Sequence, residues 1–103
     1  MEQEERLMGF RESDEELTCV FLNRMDTLTT AKIDTAFREK LATLAGRRIV
    51  FDLEKVDYVA SSFLRFCVIA SKEGKGKLAI INIMPAVRKV LKIAGFESIA
   101  DLR

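Results

Sequence analysis

The sequence predicts a single α/β domain over residues 1–103, with a mixed β-sheet, βα crossover units and helices mainly on one face. Three observations carry this. Short runs rich in β-branched and aromatic residues, at positions 17–22, 49–53 and 78–81, read as strands. Longer segments between them repeat apolar residues at helical spacing. The links are short, so a strand, a helix and the next strand form a crossover with parallel strands.

Residues 1–6 are polar and expected to fray at the terminus. Residues 7–11 then read as a first strand, and Ser13-Asp14-Glu15-Glu16 as a tight turn into the strand at 17–22. Two strands joined by a few polar residues make an antiparallel hairpin. Asn23 is a candidate for positive φ, which Asn tolerates better than other non-glycine residues. Thr27, Thr29 and Thr30 are candidate caps for the next helix, which runs to about Leu44. Ile33, Phe37, Leu41 and Leu44 form its apolar stripe, while Asp34, Arg38 and Lys40 lie off it. Ala45-Gly46 supplies the stop.

The stretch from Arg48 to Cys67 organises the rest. A buried strand is followed by the polar break Glu54-Lys55, then by Val56, Tyr58 and Val59. Ser61 and Ser62 open a dense apolar helix over about residues 62–72. That helix is apolar nearly all round, which implies deep burial or a second covered face. Serine at a helix start supports two readings. It can cap the unpaired first-turn amides, or it can carry a phosphate at the positive end of the helix dipole.

Gly74 and Gly76 end that helix, and GKGK lacks the full phosphate-loop pattern. Residues 78–81 are read as the last strand, and Pro85 suits the first position of a final helix. Val87, Val90, Leu91 and Ala94 are expected on its buried stripe, with Arg88, Lys89 and Lys92 in water. Phe96, Ile99 and Leu102 should fold back onto the core.

Composition bounds the chemistry. At 103 residues, 49% hydrophobic and 32% charged, the chain can bury one core without disulfides or metal. There is no His, and Cys19 and Cys67 lack metal-ligand spacing, so both read as small buried hydrophobes. No cofactor is expected and no catalytic set is visible. Asp52 and Asp57 read as carboxylates solvated at strand ends. The N-terminal MEQEERLMGF has no apolar signal core, and no apolar run reaches membrane-spanning length. The expectation is a cytoplasmic protein without membrane insertion. Residues 1–57 hold 9 Lys/Arg and 13 Asp/Glu, net −4; residues 58–103 hold 8 and 3, net +5. That field is too weak for nucleic acid and fits a solvated face or an acidic protein partner better.

An ordered set of motifs resembles a known family. Met25-Asp26 before an amphipathic helix, then Val56-Asp57-Tyr58-Val59 and Ser61-Ser62 opening a helix, are similar to the STAS domain of anti-sigma factor antagonists. The likeness continues through Gly76-Lys77-Leu78, Asn82, Pro85, Val87, Leu91 and Gly95-Phe96. The resemblance implies a non-enzymatic interaction switch that binds an anti-sigma factor, itself a serine kinase, or a related signalling protein. It implies that phosphorylation of Ser61 abolishes binding, with Asp26 beside it, and that Ser62, Phe63, Leu64 and Arg65 form the partner surface. The sequence departs from the family pattern at Ala60, where an acidic residue is usual, at Phe63, where glycine is, and at Arg65, where a small residue is common. Arg65 lies four residues beyond Ser61, within reach of a phosphate there. Those departures sustain an alternative: a non-regulatory binding subunit or scaffold, such as the STAS component of a lipid-trafficking ABC transporter. Neither reading sets the oligomeric state.

Overall fold

The computed structural model describes residues 7–103, so the expected fraying of residues 1–6 lies outside the described residues. Strands β1 (Met8–Glu12) and β2 (Glu16–Phe21) form the predicted antiparallel hairpin, with Phe10 opposite Cys19. Ser13 closes its turn: its amide donates to the Glu16 carbonyl at 2.9 Å, and its hydroxyl accepts from the Glu16 amide at 3.1 Å. Helix α1 (Thr27–Leu41) leads to β3 (Arg48–Asp52), then α2 (Ser61–Glu73), β4 (Leu78–Ile81) and α3 (Pro85–Ile93). A 3₁₀ turn (Phe96–Ser98) precedes a fifth strand, β5 (Asp101–Leu102).

The sheet order is β1-β2-β3-β4-β5, with β1 antiparallel and every other neighbour parallel. The mixed sheet and its crossovers are those expected. The fifth strand was not, because two residues carry no readable alternation; β5 exists because it pairs with β4, where Ala79 faces Asp101.

Alternation along the strands fixes the core. Leu17, Cys19 and Phe21 share a face with Ile49, Phe51, Leu78 and Ile80, and all are buried. Against that face α1 sets Ile33, Phe37 and Leu41, and α2 sets Phe63, Phe66, Cys67 and Ala70. Aromatic rings join the layers. Phe37 stacks on Phe66 at 4.4 Å, and Phe21 meets both Phe51 and Phe63 edge-on at 4.9 Å. The second face of α2 is only half covered, at Leu64, Val68 and Ile69. Burial pushes the Cys19 thiol up to about 12 and the Cys67 thiol higher still, as inert core cysteines require.

Several boundaries differ from the sequence expectation. Helix α1 ends at Leu41 rather than Leu44, although Leu44 is still buried from the turn that follows. Ala45 at φ 53° and Gly46 at φ 79° make the stop. The left-handed asparagine is Asn82, at φ 56°, and not Asn23, whose side chain accepts a hydrogen bond from the Arg24 amide. In α3 only Val87 and Leu91 reach the core; Val90 and Ala94 do not. Val87 and Leu91 are one i,i+4 pair, whereas Ala94 is already the C-cap, where the chain turns at Gly95. Among the described residues no helix is long and apolar enough to cross a membrane.

Candidate functional site

Two parallel crossovers leave the same sheet edge, the carboxyl ends of β2 and β3, where open α/β sheets commonly place their sites. Their outgoing loops are stitched together. The Met25 amide donates to the Tyr58 carbonyl and the Ala60 amide to the Met25 carbonyl, both at 2.8 Å. A parallel bridge between Met25 and Val59 completes the link. This brings the starts of α1 and α2, and with them Asp26 and Ser61, side by side.

The two starts are built differently. Asp26 is the N-cap of α1: its carboxylate accepts from the Thr29 amide at 2.8 Å. The cap is therefore not one of the three threonines. The Thr29 hydrogen bonds hold the Asp26 carboxyl below its ordinary value, and the nearby Arg24 adds to this. Helix α2 begins at Ser61 behind Ala60, an extended residue with no side chain able to cap it. Ser61 is consequently the first helical residue and not the cap. It is exposed, and its hydroxyl makes no hydrogen bond among the described residues. No acidic residue lies in the first turn of α2, so no side-chain charge there offsets the positive end of its dipole.

Ser62 is committed elsewhere. Its hydroxyl lies 2.6 Å from that of Thr30, which is 3.0 Å from each of the Asp26 and Thr27 carbonyls. Thr30 has one proton, and the carbonyls can only accept; when Thr30 donates to them, Ser62 donates to Thr30. One hydroxyl of the pair is tied down and the other is free.

The remaining expected residues divide as sharply. Phe63, expected on the partner surface, is instead fully buried between Phe21, Phe51 and Phe66. Helix α2 is so apolar that its sequence could not select the inward face; the rings of β2 and β3 do. Leu64 is half-buried and Arg65 exposed, and Arg65 forms no ion pair among the described residues. Arg65 and Ser62 also line an open groove between α1 and α2, with Thr30 and Asp34.

Two apolar residues at this edge were missed. Leu28 is 65% exposed and Tyr58 46%, with the Arg24 guanidinium 4.7 Å from the Tyr58 ring centre. Leu28 had a signal: it is out of phase with the Ile33, Phe37, Leu41 stripe. Tyr58 was read only within the Val56-Asp57-Tyr58-Val59 motif, because a single aromatic in a loop carries no period that would mark it as exposed.

Asp52 was read as solvated and is instead 5% exposed. Burial pushes its pKa up, but hydrogen bonds from Asn82, the Glu54 amide and Arg11, at 3.1, 3.1 and 3.2 Å, outweigh it and hold the carboxyl below its ordinary value. It fastens β1 and the β4–α3 turn to β3, on the sheet face opposite Phe51. Asp57 is exposed and unpaired among the described residues. No group of metal-ligating side chains occurs among the described residues.

Comparison with known proteins agrees with this architecture. The chain is 39% identical over 56 residues to BtrV of Bordetella bronchiseptica, which carries the provisional name of anti-sigma factor antagonist. That match covers 52% of this chain and 48% of BtrV, so the chain spans about half the length of the curated relative it matches. The fold is similar to an anti-sigma-factor antagonist (STAS) domain protein from Planctomyces limnophilus, at a TM-score of 0.82 and 19% identity over 92% of this chain and 87% of that one. It is also similar to the anti-sigma factor antagonist SpoIIAA, at 0.76 and 16% identity in the unphosphorylated form, over 93% and 87%. The phosphorylated form from Bacillus matches at 0.69 and 15% identity, over 93% and 90%. These distant structures speak for the fold alone. The model of the STAS domain matches residues 12–103, from the hairpin through β5, and on that span the chain belongs to the STAS domain family.

Proposed function

We propose that this domain is a non-enzymatic interaction switch of the anti-sigma factor antagonist type, which binds an anti-sigma factor with serine kinase activity and is released when Ser61 is phosphorylated. The observation that carries it is the unequal pair of serines. Ser61 is exposed, and its hydroxyl is unbonded among the described residues, at a helix start without a side-chain cap, while Ser62 is tied to Thr30. A phosphate on Ser61 adds about −1.5 to −2 charge at pH 7. The α2 dipole and Arg65, one turn along, stabilise that charge within the domain. The same charge must be desolvated when a partner covers it, which weakens the complex.

BtrV's provisional name and the existence of a phosphorylated SpoIIAA support the reading. The partner surface comprises Ser61, Leu64, Arg65 and Asp26, with Leu28 and Tyr58 as apolar anchors in place of the buried Phe63. Ala60 stands where an acidic residue is usual in the family and leaves the start of α2 more positive.

The test titrates the purified domain with an anti-sigma factor that has serine kinase activity, taken from the same organism. Ser61→Asp should weaken binding at least about tenfold, or about 1.4 kcal/mol. Mass spectrometry should place the phosphate on Ser61 and leave Ser62 unmodified. The scaffold alternative, a STAS subunit of a transporter, expects unchanged binding and an unmodified Ser61. That outcome would overturn the switch.

A further inference from the structure

The outer face of α3 has no role in the site above, and its charge is of one sign. Its sequence, PAVRKVLKI, holds three cations and no acid. Arg88 and Lys92 are i,i+4 neighbours, and Lys89 and Lys92 are i,i+3, so like charges sit together on adjacent turns. Such spacing opposes the helix. On α1, by contrast, two of three cations are paired among the described residues, Arg38 with Asp34 at 2.9 Å and Lys40 with Glu12 at 2.8 Å, and only Lys32 is not. Among the described residues none of the three α3 cations has an acidic partner.

Between these charges lie exposed apolar side chains. Ile93 is 78% exposed and Val90, one turn earlier, 39%. Two aliphatic side chains at i,i+3 with cations around them match the anchors and rim of a helix-docking surface. We propose that the outer face of α3 docks an acidic amphipathic segment of a partner protein, with Ile93 and Val90 meeting its apolar stripe and Lys89 and Lys92 its carboxylates. The charge selects the occupant, because only an anionic partner relieves the repulsion along the helix. Nucleic acid fits worse, since the helix carries no aromatic on which a base could stack. A lipid surface fits worse because the larger apolar face of α3, Val87 and Leu91, is already spent on the core. This assignment does not depend on the Ser61 switch.

The test is a titration of the full chain, labelled with nitrogen-15, with a synthetic acidic peptide that places Leu at i, i+3, i+4 and i+7 and Glu elsewhere. A scrambled peptide of the same composition and anionic phosphatidylglycerol vesicles are the comparators. Amide shifts should concentrate at Lys89, Val90, Lys92 and Ile93. Ile93→Glu, and separately the Lys89→Glu/Lys92→Glu pair, should each weaken binding at least about tenfold, with circular dichroism unchanged. The scrambled peptide should bind at least about tenfold more weakly. Absence of binding, shifts elsewhere, or equal binding of the scrambled peptide would overturn the proposal. So would stronger Ile93-dependent binding to the vesicles, or self-association of the chain abolished by Ile93→Glu, which would assign the face to lipid or to a second copy.

Discussion

The starts of α1 and α2 lie on one edge of the sheet, joined by the same pair of loop hydrogen bonds, and are finished in opposite ways. Asp26 caps α1 with a carboxylate that accepts an orphan amide and offsets the dipole. Ala60 does neither for α2. On the function proposed above, this difference is what suits one helix terminus, and not the other, to regulation. A helix capped by its own acid has little to gain from a phosphate, whereas one that begins bare, with an exposed hydroxyl at its first position, has a charge to receive. Thr30 links the two: its hydroxyl caps no amide, but it holds Ser62 and leaves Ser61 outside.

The largest expected effect tests whether the packing beneath this edge or the caps upon it keep α2 in place. Phe63→Ala removes a fully buried ring from the Phe21–Phe51–Phe66 cluster and should cost about 3–5 kcal/mol in a denaturant melt. A loss near that of a surface substitution would mean that Phe63 is exposed after all.

Next comes the transfer of the cap. Ala60 already has the extended geometry of an N-cap, φ −94° and ψ 170°, so Ala60→Asp should stabilise the domain by about 1 kcal/mol in chemical denaturation. No gain would mean that the first-turn amides of α2 are satisfied in another way.

Asp26→Ala should act in the opposite direction, and with a pH signature. The folded-state pKa of Asp26 lies below its unfolded value, so its contribution is present above the unfolded pKa and is lost as pH falls through the folded one. The difference in Tm between Asp26→Ala and the parent chain should therefore be clear at neutral pH and shrink below about pH 4. A difference that persists in acid would assign the effect to something other than the charged cap.

Ser61→Ala should be the mildest, within about 0.5 kcal/mol, because the side chain caps nothing. A loss near 1 kcal/mol would restore the capping reading of Ser61.

How much was legible follows from where each determinant lies. The strands at 16–21, 48–52 and 78–81 were readable to within a residue because their apolar, β-branched runs are local and mostly buried. The start of α3 at Pro85 was readable for a similar reason, since proline needs no amide partner at the first helical position. At the candidate site, Ser61 and Asp26 were legible as residues, but which of them caps its helix was not. Which residue caps a helix depends on where the first helical dihedral falls, and a shift of one position moves serine from cap to N1.

By itself, then, the sequence determined the α/β class, the crossover order, the central strand and the serine-led helix, because all of these arise from residues within a turn or two of one another. Tertiary structure alone decided that Phe63 points inward, since a helix apolar on nearly every side has no preferred face until rings from β2 and β3 meet it. It decided that Asp52 is buried and still charged, because Arg11 is 41 residues away along the chain and Asn82 is 30. It also decided which serine is free: the hydroxyl that ties down Ser62 comes from Thr30, 32 residues earlier, and only the packing of α1 against α2 brings them within 2.6 Å.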